Sequence, residues 1–110
     1  MDICKISVSV PKEYAAVLMD AIDEAAEWVT PTYSRAFTIT DSTGTWIPLE
    51  GSDPCIGEQD TISYAEEQKL EFVIKTESLK KVLKAIERTH PYEEPAVDVI
   101  PCRYWRDYLE

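Results

Sequence analysis

Apolar and polar residues alternate through residues 3–10, ICKISVSV. Ile6, Val8 and Val10 fall on one side, with Lys5, Ser7 and Ser9 on the other. A period of two predicts a strand with one face buried. Pro11 closes the strand and suits the first turn of a helix. The period then lengthens: Tyr14, Leu18, Ala21, Ile22 and Ala25 recur at helical spacing through 12–28. Glu13, Asp20, Asp23, Glu24 and Glu27 occupy the opposite face, several of them late in the helix, where its dipole disfavours negative charge. Thr30-Pro31-Thr32 interrupts the pattern. Residues 33–41, YSRAFTITD, predict a second strand from their β-branched and aromatic content. A long connection, 42–60, follows. Residues 61–76 predict a third strand, best defined where Leu70, Phe72 and Ile74 alternate with Glu71, Val73 and Lys75. Thr76 is placed as the N-cap of a second helix, with Glu77 in its first turn and Leu79, Val82, Leu83 and Ile86 as its apolar stripe. His90 precedes a proline, so the helix stops there and His90 is extended. Residues 95–101, PAVDVIP, make a short fourth strand. The tail reads as a final helical turn, with Tyr104, Trp105, Tyr108 and Leu109 docked on the body.

The order β-α-β-β-α-β, in one domain over residues 1–110, predicts an α+β ferredoxin-like sandwich. Its antiparallel sheet has the order 4-1-3-2, with both helices on one face. Ile6, Val8, Val10, Phe37, Ile39, Leu70, Phe72, Ile74, Val97 and Val99 are expected to meet the helices. Lys5, Ser7, Ser9, Thr38, Thr40, Glu71, Val73, Lys75, Asp98 and Ile100 then form an open face, a natural place for subunits to pack. Cys4 and Cys102 lie at neighbouring strand ends, but parity puts them on opposite faces. Such a pair forms no disulfide and shares no metal unless a bulge at Pro101 realigns the strand.

Composition narrows the partners. Acids outnumber bases by 21 to 11, a formal charge of −10. A nucleic-acid binder needs a basic face, so that class is excluded, and an anionic membrane surface with it. No apolar run is long enough to span a bilayer, and the start is too polar for a signal peptide. Three cysteines without a C-x-x-C pair read as reduced thiols in a cytoplasmic protein.

Two stretches carry candidate chemistry. HPYEEP, residues 90–95, holds the lone histidine beside two acids. His90, Glu93 and Glu94 are candidate divalent-metal ligands. One histidine is too few for a complete transition-metal site within the chain, and symmetry would have to complete it. The alternative is a hinge, in which Pro91 ends the helix, Pro95 opens the strand and Tyr92 packs between them. The second stretch, GTWIPLEGSDPCIG, has Gly44, Gly51 and Gly57 for unusual backbone shapes, and Trp46, Pro48 and Pro54 for order. It lacks the signature of a phosphate-binding loop. It either closes over a small ligand or clasps a neighbouring subunit, the second role being favoured. A Cys55 or Cys102 pair with His90 has no support from spacing, and no catalytic residue is assigned.

These same stretches carry a resemblance. GTWIPLEGSDPCIGE followed by HPYEEPAVDVIP resembles the small PII-like domain inserted in bacterial members of the dinuclear-metal-centre hexameric family (YqfO-type proteins). The opening VPKEYAAVLMDAIDEA is similar too, so the likeness covers essentially the whole chain. KTESLKKVLKAIERTHPYEEP and the tail DYLE resemble CutA, the divalent-cation-tolerance protein. The resemblance implies the ferredoxin-like fold and trimers. It carries over no catalytic residue, because the larger family's metal ligands belong to a flanking domain. Ile47 and Cys55 stand where the family often has a basic and an aromatic residue, and 28–36 lacks its glycine pattern. The expected function is a stand-alone, non-enzymatic PII/CutA-like oligomeric module in binding or regulation. The alternatives are a copper or zinc binder of CutA type using His90 with Glu93 or Glu94, and a small-molecule sensor binding between subunits. No cofactor is assigned; a divalent metal is expected only under the first alternative.

Overall fold

The computed structural model describes residues 1–110. The elements follow as β1 (Ile3–Pro11), α1 (Ala15–Ala25), β2 (Thr38–Trp46), β3 (Ser63–Lys75), α2 (Leu79–Thr89) and β4 (Val97–Cys102). One antiparallel sheet has the order β2-β3-β1-β4, the predicted arrangement read from the other edge. The α+β ferredoxin-like class is therefore correct. Ile6, Val8 and Val10 from β1 meet Leu70, Phe72 and Ile74 from β3, under Leu18 and Ile22 of α1 and Val82 and Ile86 of α2. All of these lie within one buried cluster, so both helices cover the same face. An edge-to-face trio of Trp28, Phe37 and Phe72 closes one end of it.

Ile39 and Val99 depart from this scheme. Register puts each on the helix face, opposite Leu70 and Ile6 respectively. Yet Ile39 is 47% exposed and Val99 39%. Both sit on edge strands, and two eleven-residue helices are too narrow to cover a four-stranded sheet. Tyr14 is likewise on the surface, and Ala15 takes the buried position at the start of α1.

The second strand is displaced from the predicted 33–41. Arg35 takes a left-handed φ of 55° and its guanidinium reaches Asp20, so the chain is still turning there. Extended pairing begins only at Thr38, opposite Glu71, and continues to Trp46 opposite Ser63. The late acids of α1 find donors in this segment: Arg35 binds Asp20, and the Trp28 indole N–H donates to Asp23 at 2.7 Å. The α1 helix itself is shorter than 12–28. Residues Lys12–Tyr14 form a 3₁₀ turn, and Ala26 is already extended. Trp28 then bridges to Ile74 along the edge of β3.

At the start of α2, Thr76 makes no capping bond and belongs to a 3₁₀ turn, Thr76–Ser78. Ser78 takes over locally: its hydroxyl donates to the Lys75 carbonyl and accepts from Glu27 N–H. The tail forms a 3₁₀ turn at Trp105–Leu109 but does not dock. Trp105, Tyr108 and Leu109 are all exposed, with Arg106 over the Trp105 ring at 4.3 Å. Cys4 faces Pro101 and Cys102 faces Ile3, so the two thiols lie on opposite sheet faces as parity requires. Beyond the Pro11–Glu67 pair, β3 and β2 run on without β1 as a two-stranded arm, which gives the molecule its 54 × 25 × 24 Å extents.

Candidate functional site

HPYEEP begins where α2 stops. His90 is extended (φ −68°, ψ 134°) and 6% exposed. Its Nε2–H donates to the Ser9 carbonyl at 2.7 Å, while its Nδ1 accepts the Tyr92 N–H at 3.1 Å. The two bonds select the neutral Nε2–H tautomer, because Nδ1 is already an acceptor. Burial holds the imidazole below its ordinary pKa, outweighing the opposite pull of the Ser9 carbonyl and the Glu67 charge. His90 thus ties the hinge to the end of β1, and Ser9 N–H returns a bond to the Ala96 carbonyl at 3.3 Å.

The hinge aims Tyr92 at an acid that the sequence reading passed over. The Tyr92 hydroxyl donates to Glu67 Oε2 at 2.8 Å. Burial raises the phenol's pKa well above its usual value, and the neighbouring carboxylate raises it further, so the hydroxyl stays a donor. Glu67 is only 6% exposed, on the sheet face away from the helices. Gly44 makes that position available. The Glu67 carboxylate lies against Gly44, in the space a β-carbon would need. A glycine inside a strand often marks such a close approach. Among 21 acids Glu67 carried no mark of its own. The usable signal was a glycine with strand-like Thr43 and Thr45 on either side.

The long loop then folds over this end of the open face. Asp53 N–H donates to Glu93 Oε1 at 2.8 Å, fastening the loop to the hinge. Asp60 N–H donates to the Pro48 carbonyl at 2.7 Å, closing the loop on itself. Gly57 has φ 107° and lies against Ser63, so two separate constraints call for glycine there. Gly51, at φ 92°, needs glycine for its backbone alone. Beneath the loop is a cavity of about 510 Å³, walled by Trp46, Pro48, Pro54 and Tyr92 and floored by Gly44 and Glu67. Trp46 and Tyr92 pack together in its wall, their rings tilted by 55° with centroids 5.5 Å apart. The two stretches singled out in the sequence therefore meet at one place.

The three candidate metal ligands do not converge on one point. Both His90 nitrogens are engaged, Glu93 holds the loop, and no group of three or more His, Cys, Asp or Glu side chains is placed to hold an ion. Nor has His90 a free nitrogen with which to activate a thiol. Cys4 is buried, which raises its pKa, and Cys55 and Cys102 are unpaired. No helix is long and apolar enough to cross a membrane.

No protein-family model matches the chain. A protein of Halalkalibacterium halodurans named "GTP cyclohydrolase 1 type 2 homolog" is 35% identical over 97 residues, which is 88% of this chain and 26% of that protein. The chain thus spans about a quarter of the length of the curated relatives it matches. A Bacillus cereus protein related to NIF3 superposes with a TM-score of 0.79 at 31% identity, over 94% of this chain and 26% of its own. CutA1 of Ehrlichia chaffeensis, a divalent ion tolerance protein, superposes with a TM-score of 0.69 at 16% identity, over 98% of this chain and 88% of its own. The last comparison establishes a shared fold and nothing further. Over nearly its whole length, then, the chain is similar to one segment of the NIF3-related proteins, and that segment has the fold of CutA.

Proposed function

We propose that this chain is a non-enzymatic PII/CutA-like binding module that works as a homotrimer. The open sheet face carries the reading. Ile100 is 52% exposed there, beside Lys5 and opposite the helices. Next to it a groove is lined by Thr38, Val73, Cys102, Tyr104 and Trp105. Exposed apolar and aromatic residues at such places favour a protein partner. The two-stranded arm supports the same view. A ribbon of that kind is marginal alone, and its Tyr64 is exposed, as is Ile62 just before it. Copies of this chain would cover both. A binding role, not a catalytic one, is supported by the engaged His90 and by the roofed cavity. The activity in the relatives' printed name would then belong to the remainder of those longer proteins. Three unpaired thiols fit a reducing compartment such as the cytoplasm.

Light scattering on the purified chain tests the assembly. The expected mass is three times 12.6 kDa, and Ile100→Asp should shift it to a monomer with an unchanged circular dichroism spectrum. A wild-type monomer at micromolar concentration removes the reading.

A further inference from the structure

We propose that the cavity under the 47–62 loop binds a small organic cation, an ammonium or guanidinium group on an apolar body, with Glu67 as its counter-ion. The inference rests on the binding role above and does not depend on the trimer.

Burying a carboxylate is costly unless its oxygens are satisfied. Glu67 has one protein donor, the Tyr92 hydroxyl at Oε2. Its Oε1 has none and is not sealed in the protein: it opens onto the cavity that the side chain lines. A carboxylate largely shielded by its neighbours, with one oxygen open to the cavity, can take a donor from a ligand there. The cavity wall decides the sign of that donor. It carries Glu67, Glu93 and Glu94 and no lysine, arginine or histidine. An anion would meet only repulsion there, and the chain's charge of −10 attracts cations from a distance.

The remaining wall decides the class of cation. Trp46 and Tyr92 line the same space as a contacting aromatic pair, and Ile47, Pro48 and Pro54 make it largely apolar. Aromatic faces attract ammonium and guanidinium groups, more strongly where water is excluded. The volume is that of a small-molecule site. A bare metal ion would need further ligands about Glu67, and none converge. Both the carboxylate and the rings are then used by one ligand: a charged head at Glu67 and an apolar body against the Trp46–Tyr92 pair.

The test uses phenethylamine, 2-phenylethanol and phenylacetate, which share a body and differ in charge. Saturation-transfer NMR and calorimetry on the full chain should show the amine binding about tenfold or more tighter than the alcohol, with the acid not bound. Glu67→Gln keeps an acceptor for Tyr92 and should reduce the amine to the level of the alcohol. Wild-type protein supplies a second reading that needs no variant. Cys55 lines the cavity and is exposed, so saturating amine should slow its alkylation by iodoacetamide and leave Cys102 unaffected. Equal binding of amine and alcohol, no binding of the amine at millimolar concentration, or unprotected Cys55 would each overturn the proposal. So would a folded Glu67→Gln chain that binds the amine as wild type does. A trimer that ignores the amine loses this inference alone, and a monomer that binds it loses only the assembly.

Discussion

At the scale of single residues, the pair Tyr92–Glu67 holds the hinge against the sheet. Removing the hydroxyl leaves a buried carboxylate without its protein donor, and a bond to a charged group is worth about 1.5–3 kcal/mol. Tyr92→Phe should therefore lower the urea midpoint by an amount equivalent to about 2 kcal/mol. Glu67→Gln should cost less, since an amide oxygen still accepts. A double-mutant cycle that returns no coupling would show that the bond contributes nothing. His90 supplies a pH dependence. Its folded pKa lies below the ordinary 6.5. The unfolded chain therefore binds the proton more readily, and stability rises with pH through this window. The contribution is complete above 6.5 and is lost as pH falls through the folded value. The resistance of wild type to denaturant should accordingly fall as the pH drops from about 7 through and below 6.5. His90→Gln, which keeps a donor within reach of the Ser9 carbonyl, should flatten that slope. An equal slope in both proteins would assign it to other groups. His90 was legible as extended from Pro91 alone. Its tautomer was not, because Ser9 lies 81 residues away.

At the scale of elements, the glycines of the long loop separate two effects. Gly51 and Gly57 both have positive φ, but only Gly57 also lies against Ser63. Gly57→Ala should cost more than about 1 kcal/mol and Gly51→Ala less, measured by thermal denaturation. Equal losses would show that the Ser63 contact yields without cost. Glu93→Ala removes the acceptor for Asp53 N–H and should hasten proteolytic cleavage within 47–62, while β1 and α2 stay protected. In the core, Ile86→Ala should cost about 2–5 kcal/mol, because Ile86 is fully enclosed by the helices and sheet. The core strands were readable because period-two alternation marks a buried face directly. The second strand was misplaced by several residues. Tyr33 and Phe37 have strand-like character, but one anchors nothing and the other turns into the Trp28–Phe72 cluster. Gly44 looked like loop because glycine is depleted in strands, and only its contact with Glu67 explains its place there.

At the scale of the whole molecule, the unevenly covered sheet is the organising fact. One face is sealed by α1 and α2. The other is divided between a roofed cavity at the Ser9–Glu67 end and an open groove at the Lys5–Trp105 end. The arm and the tail leave Tyr64, Trp105, Tyr108 and Leu109 in water. If copies of the chain cover them, thermal stability should rise with protein concentration, as mass action requires of an oligomer. A melting temperature independent of concentration over a hundredfold range (about 1 to 100 µM) would count against assembly-linked stability. The relatives' greater length bears on the same surfaces, since about three quarters of each lies outside the match.

The sequence alone determined the element order, the sheet order and most of the core, because hydrophobic periodicity and proline positions are local signals. It also marked both candidate stretches, through glycines and prolines that regular elements do not need. Tertiary structure decided that these stretches meet. It decided too that His90 spends both nitrogens on the backbone, and that one of 21 acids is buried over a glycine beneath a loop. Each of these depends on residues far apart in the chain arriving at one point, and no local pattern encodes that distance.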